Sequence, residues 1–336
     1  MSYEKDFRGK PRMIALWGSP HSGKTTTAVK MAKALAVKKN NVLILMCDCL
    51  SPAPQTLLPN TSTEGKSLGE LLTLPVISQE SILQHCIPLD KHPRIIVLGY
   101  MRGDNAFTYA DYSRERAVDL LTLVRHLADY ILIDTGSMFS TDLLSAVALE
   151  NADAVIRLCT CDLKSMSYFS ANLPLLADGR FSSSKHIRVL SIVKPGQDSG
   201  EYSNTFGGMS YALPYVPELE EQFYAAQLAE KLCSFAARKY SKTIQKMLTD
   251  IFVDVSGDYV IEETPPEKEP FLMPQKKVRQ VIVDDGDRIT ATPSERVEKK
   301  PRTTLGFSLP KKKIREKADK NNNSLFERLK KEGGSR

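Results

Sequence analysis

Six short runs of almost continuous Val, Ile and Leu constrain this chain more than any other feature: MIALWG (13–18), NVLILMC (41–47), RIIVLGY (94–100), YILIDT (130–135), DAVIRLC (153–159) and IRVLSIV (187–193). A strand that is apolar at every position, rather than at every second one, is buried on both faces, as in a parallel sheet covered by helices. A weaker run, ALPYV (212–216), joins them. The intervening segments 24–37, 112–127, 141–150 and 218–231 read as helices, with Asp111 and Thr141 placed as N-caps of the second and third. The expectation is an α/β domain over residues 1–254, a doubly wound and mostly parallel sheet flanked by helices. A Pro-, Ser- and Thr-rich stretch, 51–66, reads as a long loop after the second strand, and long loops in compact domains are often functional.

From residue 255 the composition changes. EETPPEKEP (262–270) opens a polar, charge-dense segment with few aromatics, expected to be a largely disordered basic tail over 255–336. Residues 261–336 hold 19 Lys and Arg against 13 Asp and Glu, which accounts for the whole net charge of +6. Within the tail, SLFERLKK (324–331) has the capping-box spacing Ser324/Glu327 of a short helix. Clusters such as Lys276-Lys277, KKPR (299–302) and PKKKIREK (310–317) neutralise phosphates without reading sequence. Nonspecific DNA or a protein partner is therefore expected at the tail, a merely solvating role being the other reading. Membrane contact is the weakest reading, since three apolar residues in 324–331 bind lipid poorly.

No apolar run approaches the roughly 18 residues of a membrane span. The start, MSYEKDFRGKPRM, lacks the apolar core of a secretory signal. A cytoplasmic protein with reduced thiols is expected. Its cysteines include two C-x-C pairs, Cys47/Cys49 and Cys159/Cys161, at the ends of apolar runs. Alternate strand residues point the same way, so each pair suits either one face of the core or half of a four-thiolate zinc site.

Gly18-Ser19-Pro20-His21-Ser22-Gly23-Lys24-Thr25 fits G-x-x-x-x-G-K-[ST] at every fixed position, after an expected strand and before an expected helix. Glycines let such a loop curl its amides toward phosphate oxygens, while the helix presents its positive end. ATP with Mg²⁺ is the expected cofactor: Lys24 for the β and γ phosphates, Thr25 for the metal, Thr26 for the α phosphate. Asp134, closing YILID, has the placement of the second metal-holding acid, although an aspartate there also suits a turn cap. Gly136, two residues on, is placed to sense the γ phosphate through its amide. Asp48, ending the second strand, is either a second carboxylate at the site, orienting water or the metal shell, or a bland turn residue.

Three stretches resemble the ParA/MinD group of P-loop ATPases: GSPHSGKTTTAVKMAKALA (18–36), NVLILMCD (41–48) and DYILIDTGSMFSTDLLSAVALENADAVIRLCT (129–160). IRVLSIVKP (187–195) and ALPYVPELEEQF (212–223) are similar to the later strand and proline-bearing segment of that group, so the likeness covers roughly residues 11–250. The resemblance implies a homodimer sandwiching two nucleotides, slow hydrolysis that resets it and a water-activating role for Asp48; Lys194, in the stretch similar to the group's base-contacting turn, either meets a purine or is an ordinary exposed lysine. The guanine signature N-K-x-D is absent after the sixth strand, which points to adenine. The group positions plasmids, chromosomes, division machinery, or secretion and pilus apparatus.

The loop departs from the group's pattern. Its signature lysine, which reaches the partner's phosphates, is Ser19 here; its Gly-Gly is Pro20-His21; its further strand-two acid is Met46. Pilus-assembly members of the CpaE/TadZ kind are similarly irregular. Two functions are thus expected to compete, a slowly hydrolysing switch that positions a cargo and a nonhydrolysing ATP-bound scaffold of a pilus, secretion or conjugation machine. A P-loop kinase for a small molecule is a third reading, without a lid-like arginine cluster to support it.

Overall fold

The computed structural model describes residues 12–59 and 61–253. They fall within the unit Met1–Lys277. The tail expected over 255–336, its basic clusters and the helix at 324–331 lie outside the described residues.

Eight strands, β1 (Met13–Gly18), β2 (Val42–Met46), β3 (Ile87–Leu89), β4 (His92–Gly99), β5 (Tyr130–Asp134), β6 (Ala154–Thr160), β7 (His186–Val193) and β8 (Tyr211–Pro214), form one sheet. Its order is β3-β4-β2-β5-β1-β6-β7-β8, and every pairing is parallel except β3 with β4. Among the described residues nine α-helices accompany it: α1 (Lys24–Val37), α2 (Leu68–Thr73), α3 (Gln79–His85), α4 (Arg114–Val124), α5 (Leu143–Asn151), α6 (Leu163–Asn172), α7 (Ser199–Thr205), α8 (Pro217–Tyr224) and α9 (Phe235–Val253).

Strand β1 shows why its run has no polar member. Met13, Ala15 and Trp17 enter one core with Leu71, Leu120, Leu144 and Phe169. Ile14 and Leu16 enter the other with Val29, Met31, Ile244 and Met247. Helices α2 to α6 thus cover one face and α1 with α9 the other, so both side-chain rows of β1 lose contact with water. The C-x-C pairs put Cys47, Cys49, Cys159 and Cys161 against the first core as free thiols. Among the described residues no three metal-ligating side chains gather.

Several boundaries differ from expectation for local reasons. Ser113, not Asp111, caps α4 by accepting from the Arg116 amide, and Asp142, not Thr141, caps α5 by accepting from Ser145. The helix expected over 218–231 ends at Tyr224, with Ala226 in the left-handed region at φ 53°. Beyond it the chain turns its Leu228 and Glu230 carbonyls to the buried Lys30 ammonium at 2.7 and 2.9 Å. Among the described residues no helix is long and apolar enough to cross a membrane.

At the far edge from the motif loop, Asp153 ties β1 to β6. Its carboxylate accepts from the Arg12 and Met13 amides, both at 2.8 Å, and from the Arg125 guanidinium at 2.9 Å.

Candidate functional site

Strand order decides which loops meet. β5 lies between β1 and β2, pairing Asp134 with Leu16 on one side and Met46 on the other. The carboxyl ends of β1, β2 and β5 therefore bring the motif loop, Asp48 and Asp134 to one crevice, the usual ligand position in open parallel sheets. Met46, in the register position beside Asp134, puts a thioether where a second carboxylate would crowd the first.

The loop's turns need a special backbone. His21 and Gly23 both have positive φ, 60° and 81°. Gly18 admits no side chain at all, because a Cβ there would lie 2.1 Å from the Leu158 carbonyl oxygen. Gly23 is the N-cap of α1 and brings no capping side chain, so the first-turn amides keep their donors for the loop's interior. From the β7 side, the Ser191 hydroxyl donates to the Ser22 carbonyl at 2.7 Å. Ile192, left-handed at φ 55° within a register shift between β7 and β8, packs beside Gly23. A β-branched residue in that region is strained, and such strain clusters at binding sites.

Lys24 is buried, and its ammonium donates to Ser137 Oγ at 2.7 Å and to the Gly18 and Ser19 carbonyls at 3.4 and 3.3 Å. Burial lowers its pKa, while Asp134 and Asp48 oppose that shift. Thr25 Oγ1 donates to Asp134 Oδ2 at 2.6 Å. Burial pushes the Asp134 carboxyl up to about 6; Lys24 and the Thr25 hydrogen bond pull it down, and Asp48 adds like-charge repulsion. A hydroxyl and a buried, charge-reluctant carboxylate side by side form half of a hard-cation site. Asp48 Oδ1 accepts from the Leu50 and Ser51 amides at 2.9 and 3.2 Å, so it ties its own turn while lining the same crevice.

A cavity of ≈ 530 Å³ runs from this cluster, lined by Pro20 to Thr27, Asp48, Asp134 and Ser137 at one end and by Leu213, Tyr215, Phe223 and Tyr224 at the other. One end is charged and the other aromatic. The structure thus brings together Pro20, His21, Ser22, Gly23, Lys24, Thr25, Thr26, Asp48 and Asp134. Lys194 stands apart: it is exposed, outside the lining, with its ammonium 5.5 Å from the Tyr215 ring centre. Ser19 also turns away, its buried hydroxyl 3.1 Å from Ser165 Oγ of α6. The Gly136 amide donates to Ser145 Oγ at 2.8 Å, and so is not offered to the crevice. Sequence reading missed Ser137, Tyr215 and Ile192. Each lies inside a recognised stretch, 129–160, 212–223 or 187–195, but no spacing rule singles it out.

A loop curled at His21 and Gly23 into the N-terminus of α1, a buried lysine, and a Thr–Asp pair at the switch point of a doubly wound sheet define a P-loop domain with the fold of the ParA/MinD-type ATPases. Residues 19–173 match the family described as the AAA domain. No curated protein matches the sequence. Among solved structures, the chain is similar to a Borrelia burgdorferi protein assigned to plasmid partition and bound to AMPPNP, at 17% identity and TM-score 0.56, covering 72% of this chain and 99% of that one. It is similar also to a ParA family ATPase of Chlorobium tepidum, at 17% identity and TM-score 0.53, covering 71% and 99%. The MinD cell division protein of Aquifex aeolicus follows at 14% identity and TM-score 0.53, covering 70% and 97%. At these identities the likeness is one of fold.

Proposed function

We propose that the protein binds ATP with Mg²⁺ and acts in the cytoplasm as a slowly hydrolysing, ParA/MinD-like ATPase, its nucleotide state switching a homodimer that positions a cargo. The observation that carries this is the convergence of Lys24, Thr25, Asp134 and Asp48 at one end of a cavity whose other end is aromatic. Ser22 Oγ, buried and without a protein partner, adds a polar atom that an oxyanion fits. In this reading Lys24 meets the β and γ phosphates, Thr26 the α phosphate, and the amides from Gly18 to Gly23 the oxygens between them. Thr25 and Asp134 hold the metal, which when bound neutralises charge on the phosphates. Asp48 orients the attacking water through the oxygen its turn leaves over, and Tyr215 offers a face to the base.

The scaffold reading keeps one specific observation on its side. Ser19, where the resembling group has its cross-dimer lysine, is bonded inside its own chain to Ser165. A charge that would stabilise the transition state is missing from the loop. The basic tail supplies the proposed contact with DNA or a protein partner.

The test is ATP turnover and self-association of the full chain, with Lys24→Ala and Asp48→Ala as controls, with and without duplex DNA. Turnover lost in both variants, with ATP-dependent dimers in the parent, supports the switch. Tight ATP binding with turnover no higher than the variants under every condition rejects it in favour of the scaffold.

A further inference from the structure

The segment after Asp134 is held from three sides. Ser137 Oγ accepts from Lys24 at 2.7 Å, and the Ser137 carbonyl accepts from the Tyr168 hydroxyl and from Trp17 Nε1 at 3.4 Å. The third hold is on Gly136, whose amide donates to Ser145 Oγ at 2.8 Å. The Ser145 hydroxyl proton goes to Asp142 Oδ2, while Asp142 Oδ1 accepts from the Ser145 amide at 3.3 Å. Asp142 therefore fixes the Ser145 rotor so that a lone pair, not a proton, faces Gly136.

Nothing in the packing of α5 asks for a hydroxyl at this position. Ser145 is fully buried in a helix whose neighbours Leu144, Val147 and Ala148 are apolar and equally buried. Burying a hydroxyl there is unfavourable unless it is bonded; one of its bonds goes to the Asp142 cap of α5 and the other holds the Gly136 amide. The fit is close: a Cβ at residue 136 would stand 2.9 Å from Asp142 Oδ2. Burial pushes the Asp142 carboxyl up to about 6, against the pull of the Ser145 bonds.

One amide has one proton. Held by Ser145, it is not available to a phosphate oxygen beyond Asp134. We propose that Ser145, oriented by Asp142, is a positioning residue that withholds the Gly136 amide until a terminal phosphate competes for it, and thereby sets how strongly the chain distinguishes a nucleoside triphosphate from a diphosphate. This rests on the nucleotide reading above. A diphosphate leaves the latch closed; a triphosphate exchanges one bond for another, and part of its affinity is offset by the bond it breaks.

The experiment uses the full chain with Mg²⁺ and compares dissociation constants for AMPPNP and ADP in the parent and in Ser145→Ala. Removing the hydroxyl costs its Asp142 bond in both states but the Gly136 bond in the closed state only, so AMPPNP should bind more tightly while ADP is unchanged. The ADP/AMPPNP ratio should rise about 3- to 10-fold, the worth of one ordinary hydrogen bond. Damage that is merely structural moves both constants by the same factor, and an unchanged ratio overturns the proposal. Should Ser145→Ala fail to fold, the parent decides. Thr135-Gly136 is the chain's one Thr-Gly pair, so threonine labelled at its carbonyl carbon and ¹⁵N-glycine together isolate a single amide resonance. That resonance must move with AMPPNP and stay in place with ADP; a resonance indifferent to AMPPNP in a protein that binds it refutes the latch. If the parent binds neither nucleotide, the nucleotide reading fails and the latch with it.

Discussion

Asp134→Asn should make the nucleotide-free protein more stable at neutral pH while abolishing the metal-dependent nucleotide affinity proposed for it. The carboxyl is 4% exposed, and burial raises its pKa from 3.8 to about 6. Between these values the folded chain holds a proton that the unfolded chain has released, so stability falls as pH rises through the window and the loss is complete above about 6. A shift of that size corresponds to about 3 kcal/mol of destabilisation at pH 7. Asparagine keeps an oxygen for the Thr25 hydroxyl, which now donates at 2.6 Å, and carries no charge to desolvate. Urea unfolding of parent and variant should therefore show a difference of about 3 kcal/mol in favour of the variant at pH 7, shrinking toward zero near pH 4. A variant less stable than the parent at pH 7, or a difference that does not change with pH, would refute the reasoning. A residue that costs stability and is kept for its chemistry is the signature of a working site.

Gly18→Ala should destabilise by about 3 kcal/mol or more, because its methyl meets a backbone carbonyl of the neighbouring strand at 2.1 Å and neither strand is free to yield; thermal unfolding reads this directly. Asp153→Ala should cost about 3 kcal/mol in urea unfolding at pH 7, since it leaves two amides and the Arg125 guanidinium without their acceptor. Burial alone would raise the Asp153 carboxyl, but Arg125 and the two amides outweigh it and hold the pKa below its usual value. Its contribution is accordingly present above the ordinary carboxylate range and lost as pH falls through the lowered pKa, so parent and variant should converge in acid.

The parallel sheet was legible because burial on both faces leaves a mark at every residue, and β1 with its two opposed cores shows the cause. The motif loop was legible because its glycines answer steric demands that few other sequences meet. Strand β3 was not: three residues, one of them Pro88, carry too little pattern to read as a strand, and only the antiparallel pairing to β4 makes it one. Helix α9 was legible in principle, since Tyr240, Ile244, Met247 and Ile251 repeat at helical spacing and all reach the core. The bonding of Ser145 to Gly136 and of Ser19 to Ser165 was not legible, because each joins residues that only the tertiary fold brings together.

That last pair bears on the choice between switch and scaffold. Ser19 faces the N-terminal turn of α6, where Ser165 Oγ also accepts from the Thr160 amide at 3.2 Å and the Ser165 amide donates to Asp162 Oδ1 at 2.8 Å. A lysine at position 19 would lose the hydroxyl contact and direct its cation toward the positive end of a helix, an unfavourable place relieved only in part by the Asp162 carboxylate. Ser19→Lys should therefore lower stability by about 2 kcal/mol, within the range for disturbing a buried polar contact, and leave ATP turnover unchanged. Ser165→Ala removes the same contact from the other side, so the two changes should cost less together than their sum in a double-mutant cycle. The opposite outcome is equally informative: full stability and faster turnover in Ser19→Lys would mean that the loop already points its second residue toward a partner's phosphates. In that case the missing charge, and not the geometry of the loop, separates this chain from a faster switch.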